Sequence, residues 1–141
     1  MRLHAYLLIA AAGLALAGCN KAESPAEVRH DVTDAQADAQ RDVTDAQSDA
    51  RENMADSQKD VADAAADHDS GEVADAAQDA SQTATKGEYK VAVAQAEANH
   101  KVAIEKCEVQ SGDAQKVCKD RADSEFDAAR KQAELRRDGT G

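Results

Sequence analysis

The chain has 141 residues, a formal net charge of −11 and 42% hydrophobic residues, of which only a sliver, 2% of the chain, is aromatic. Alanine supplies most of the hydrophobic share: beyond residue 18, fifteen larger apolar side chains are spread over 123 residues, too few to build a globular core against the entropy of ordering the chain. This argues against a buried, water-excluding active site. The charge is also uneven, and the acidic excess argues against nucleic acid, whose phosphates would repel it.

Residues 1–18 read as a signal peptide. Arg2 and His4 form a short basic start, followed by the apolar run from Ala5 to Ala17. Thirteen residues of helix reach about 20 Å, short of the roughly 30 Å hydrocarbon core of a bilayer. The run closes on Leu16-Ala17-Gly18-Cys19, which resembles the lipobox of bacterial lipoproteins. The resemblance implies cleavage before Cys19 and acylation of that cysteine, making it the first mature residue and the membrane anchor; the alternative is an ordinary secretory signal ending in the same letters. Asn20 follows, and by the same resemblance this implies the outer membrane, facing the periplasm. Residues 19–24 then form a lipidated tether.

Residues 25–69 read as an acidic helix. Ser24-Pro25-Ala26-Glu27 is a start signal, with serine as N-cap, proline at the first helical position and glutamate at the third. From Val32, the positions Ala35, Ala39, Val43, Ala46, Ala50, Met54, Ser57, Val61 and Ala64 recur at intervals of three and four. Such an eleven-residue repeat keeps one narrow stripe on one face of a nearly straight helix. Val32, Val43, Met54 and Val61 are its larger members, and the stripe reads as a surface for another narrow helix, in a second copy of the chain or in another envelope protein. A row of aspartates beginning Asp31, Asp34 and Asp38 runs beside it. Like charges at this spacing oppose helix formation, so the segment is expected to be partly disordered in isolation. The segment resembles alanine-rich repeat stress proteins of the late-embryogenesis-abundant type, and is similar to small helical lipoproteins in which lipid leads into a coiled coil.

Residues 70–86 read as a bend after Asp67-His68-Asp69, a short weak helix near 72–80 and a linker at 81–86. Asp67, His68 and Asp69 read as a solvated helix end, since adjacent ligands on a turn hold a metal poorly. Thr85-Lys86-Gly87-Glu88 reads as a second capping box. It opens a helical hairpin over 87–137 that turns at Ser111-Gly112-Asp113, before a disordered tail at 138–141.

Cys107 and Cys118 remain once Cys19 is set aside. Their spacing fits no zinc, redox or haem pattern, so an even pair in an oxidising compartment reads as a disulfide, against two free thiols. Folding about the turn also brings His100 beside Phe126 or Glu125, Ala96 beside Ala129 and Tyr89 beside Leu135. The pattern Tyr89, Ala92, Cys107, Gly112, Cys118 and Ala122 resembles helical segments of proteobacterial envelope proteins, which implies the hairpin but no activity.

The expected fold is all-α: an extended amphipathic helix followed by an antiparallel two-helix hairpin at its far end, with no large globular core. The expected function is non-enzymatic. It is a membrane-anchored periplasmic lipoprotein with a structural, self-assembling or envelope-stress-protective role, or an adapter whose hairpin docks on another envelope protein. No catalytic residue, cofactor, metal, nucleic acid or small-molecule substrate is expected; the partners are membrane lipid through Cys19 and a protein or second copy.

Overall fold

The computed structural model describes residues 22–139, so the signal peptide, Cys19 and the last two residues of the expected tail lie outside the described residues. Within them the chain is helical: α1 spans Pro25–Ala66, α2 Ser70–Cys107 and α3 Gly112–Arg137. At 1.5 Å per residue these are rods of about 63, 57 and 39 Å.

Local chemistry sets the starts of the first two helices. Ser24 caps α1: its hydroxyl accepts from the Glu27 amide at 3.3 Å, and the Glu27 carboxylate accepts from the Ser24 amide at 3.0 Å. A cap of this kind contributes about 1 kcal/mol. Hydrogen bonding from the Ser24 hydroxyl and then from the Ser24 amide holds the Glu27 carboxyl below its ordinary range. At the other end of α1, His68 takes a left-handed φ of 58°. The Asp69 carboxylate then accepts from the amides of Gly71 and Glu72 and so caps α2.

Only three residues separate α1 from α2, so the two lie antiparallel. Three pairs give the alignment. The Glu23 amide donates to the Glu108 carbonyl at 3.0 Å, the Lys101 ammonium reaches Asp42 at 2.6 Å, and Gly87 lies against Ala50. The chain then reverses again at residues 108–111, and α3 returns along α2. The backbones of α1 and α3 do not approach one another among the described residues. The molecule is thus a layer of three helices with α2 in the middle.

Two expectations are corrected here. The segment 81–86, read as a linker, lies inside α2. Its serine and threonines are weak helix formers, but Thr83, Ala84 and Thr85 are half-buried, and the Thr85 hydroxyl bonds back to the Ser81 carbonyl at 3.0 Å. Packing along both sides of α2 outweighs local propensity. Gly87 accordingly opens no helix. It sits in the interior of α2, where a Cβ would stand 3.1 Å from that of Ala50; the glycine lets the two rods close up.

The second correction concerns direction. The hairpin was expected at the far end of an extended acidic helix. Instead α2 runs back along α1, so the α2–α3 turn lies beside the start of α1. The far end is the α1–α2 turn.

Candidate functional site

The stripe on α1 meets α2. All ten of its positions from Val32 to Ala64 are buried or half-buried, with Ala39 only 5% exposed. Ala39 and Val43 border one groove with Ala98 and Val102 of α2; Ala50 and Met54 border a second with Ala84, Gly87 and Val91; Ser57 and Ala64 border a third with Ala76. The helix that the stripe calls for is therefore supplied by the same chain. The sequence carries a signal for this. Ala76, Ala84, Gly87, Val91, Ala98 and Val102 fall at spacings built from threes and fours, the same repeat continued on the next helix.

Charge flanks this seam, and Asp60, Glu72, Asp75 and Asp79 also border its third groove. Asp31, Asp34, Asp38 and Asp42 are all exposed or half-buried. They are interleaved with basic side chains: Arg41 pairs with Asp38 and Lys59 lies 3.9 Å from Asp63, while the His30 ring lies 3.3 Å from Asp34. Lys101 reaches across from α2 to Asp42, and that hydrogen bond, with the aspartate's charge, raises the lysine above its ordinary range. Salt screens such exposed pairs.

The other side of α2 is built differently. Cys107 and Cys118 are joined, with their Cα atoms 5.7 Å apart, and Cys107 is 1% exposed. His100 stacks on Phe126 with ring centroids 5.0 Å apart. Its Nε2 lies 2.6 Å from Asp123, not from Glu125 as expected. The reason is helical spacing: Asp123 and Phe126 are three apart and share a face of α3, so one imidazole meets both. Arg130 lies 5.5 Å from the Phe126 ring, and Arg137 lies 4.5 Å from that of Tyr89. Leu135, the residue expected beside Tyr89, is 41% exposed. At the start of α3, Ser111 stands at the N-cap without a side-chain cap hydrogen bond. Gly112 has a φ of 60°.

Imidazole bonded to carboxylate can orient a general base. The recess beside His100 is bordered by Ala96, Asn99, Ala103, Ala122, Glu125, Phe126 and Ala129, none of which is an activated nucleophile. The arrangement can hold α3 on α2 by a polar contact and a ring contact together. Among the described residues no group of three or more His, Cys, Asp or Glu side chains is placed to hold a metal ion, and no helix is long and apolar enough to cross a membrane.

One group that sequence reasoning passed over joins all three helices. Glu108 accepts the Glu23 amide at its backbone carbonyl, the Gln115 side chain at 2.7 Å and the Lys119 ammonium at 2.5 Å on its carboxylate. Gln115 is 4% exposed. The Glu23 carboxyl at this junction is raised above its ordinary range, first by partial desolvation and then by the negative charges of Asp31, Glu108 and Glu105. Nothing in residue type or spacing marks Glu108, because its role comes from a reversal of the chain on either side.

Comparison with known proteins adds no relative: no protein family, no curated protein and no solved structure matches the chain.

Proposed function

We propose that this chain is a non-catalytic, lipid-anchored protein of the bacterial envelope with a structural role, a stiff acidic rod held on a membrane through acylated Cys19. The observation that carries the reading is the seam of alanine, valine and glycine running along α1 and α2. These residues build length and a charged outer surface, not an interior in which a substrate could be shielded from water. Cover of the stripe by α2 weighs against assembly through Val32, Val43, Met54 and Val61 between chains. It favours a rod complete in one copy, with its aspartates turned to the periplasm. The Leu16-Ala17-Gly18-Cys19 motif supports the anchor.

Far-UV circular dichroism of oxidised, unlipidated residues 20–141 over about a hundredfold range of concentration tests the rod. Helicity that is high and constant on dilution is expected, because each α1 finds its partner within its own chain. Helicity that climbs with concentration would mean that the stripe pairs between chains, and the single-copy rod would fail. Palmitate incorporation, lost with Cys19→Ser, tests the anchor separately.

A further inference from the structure

We propose that the disulfide-closed end of the molecule is its foot, seated on the lipid surface through the α2–α3 turn, with the α1–α2 turn held away from the membrane. This deepens the anchor reading and rests on it.

Three residues separate Cys19 from Glu23, and the Cα–Cα steps between them reach about 14 Å when fully extended. The Glu23 amide is itself bonded to the Glu108 carbonyl at 3.0 Å. A lipid on Cys19 therefore holds residue 108 close to the bilayer, whatever path residues 20–22 take. The turn cannot swing freely from this position. Cys107 and Cys118 bond α2 to α3, while Gln115 and Lys119 of α3 both hold the Glu108 carboxylate.

Apolar surface is concentrated at this end. Of the three large apolar side chains most exposed among the described residues, two lie here: Val109 in the turn, 43% exposed, and Val117, 67% exposed. Two valines orient a protein that acyl chains already hold; they do not anchor it alone. Charge points the same way. Residues 22–31 and 101–121, which build the foot, carry six basic and seven acidic side chains. Residues 56–79, which build the opposite tip, carry eight acidic side chains and Lys59 as the only basic one. An anionic surface attracts cations and repels such a tip within a Debye length, about 8 Å at physiological salt.

The chain contains no tryptophan, so one introduced indole reports its own depth. Val109→Trp and His68→Trp are made separately in the full-length lipidated protein. Each is reconstituted into vesicles of phosphatidylglycerol and acyl-brominated phosphatidylcholine. Val117→Trp serves as a second probe of the foot. The expected result is that the protein floats with the vesicles and that V109W loses about half of its emission, an indole at headgroup depth being within reach of the bromines. H68W should keep its emission. Flotation with V109W and V117W both unquenched, or with H68W quenched as strongly as V109W, overturns the foot and leaves the anchor standing. Failure to float and to take up palmitate overturns the anchor reading, and the foot falls with it.

Discussion

The two sides of α2 are packed by different means. Toward α1 it presents alanine, valine and a glycine, and the seam runs nearly the length of both helices. Toward α3 it presents Tyr89, His100 and Cys107, and the contact is made by rings, a hydrogen bond and a covalent bond. Each alanine removes little apolar area from water, so the α1 seam gains by being long and by close backbone approach at Gly87. The α3 contact can be shorter because the Cys107–Cys118 bond, closing a separation of 11 residues, restricts the unfolded chain. With few large apolar residues, the chain relies on length on one side and on a crosslink on the other.

Breaking the crosslink should therefore have the largest effect, and it should fall unequally. Cys107→Ser with Cys118→Ser is expected to lower stability by about 3 kcal/mol, the loop-closure contribution for a loop of this size. Thermal unfolding followed by circular dichroism measures the loss. Hydrogen exchange should show α3 losing protection well before the α1–α2 seam. Equal loss in all three helices would mean that the two contacts form one cooperative unit and that the contrast drawn above is false.

The seam is best tested at Gly87. A leucine there drives a side chain into Ala50, so Gly87→Leu should cost about 1–3 kcal/mol, the usual range for overpacking. Gly87→Ala should cost much less, since the helix propensity it gains, about 1 kcal/mol, offsets a crowded Cβ. Ala50→Gly in the Gly87→Leu background should recover part of the loss if the two residues meet as described. A Gly87→Leu protein as stable as the original would place α1 elsewhere.

Much of this molecule is legible in its sequence, and the part that is not has a common cause. The start of α1 at Ser24-Pro25-Ala26-Glu27 is local chemistry, and the ten-position stripe is local periodicity; both can be read without knowing where the chain goes next. An all-helical chain with Cys107 bonded to Cys118 follows from similar signals, because the turn between those residues is short. Residues 81–86 differ: serine and threonine are weak helix formers, and what keeps the segment helical is packing against other parts of the chain. Read as a linker, the segment divides α2 and leaves α1 without a partner in its own chain. The Glu108 junction could not be read at all. It requires two chain reversals to bring Glu23, Gln115 and Lys119 to one glutamate. Residue type says nothing of such distances. The Leu16-Ala17-Gly18-Cys19 motif, by contrast, is local.

The smallest expected effects lie where the two packing modes meet, and there the sign is more informative than the size. Glu23 and Glu27 are four residues apart and are perturbed in opposite directions. For Glu23 the folded state holds the proton more tightly than the unfolded state does. Its contribution to stability thus rises as pH falls through its folded value, and at neutral pH its charge is unfavourable. Glu23→Gln should therefore raise the melting temperature slightly at pH 7, with the gain gone below the ordinary glutamate range, where the native side chain is also neutral. Glu27 behaves in reverse. Its ionised form is held by the Ser24 amide and hydroxyl, so it stabilises α1 above the ordinary glutamate range and loses that contribution as pH falls through its lowered folded value. Glu27→Gln should lower the melting temperature slightly at pH 7, because glutamine can still close the capping box but without the charge at a helix start. The pair of melting curves against pH is the measurement. If both substitutions shift stability in the same direction at neutral pH, the tether is not packed against Glu108, and the start of α1 belongs to the seam alone.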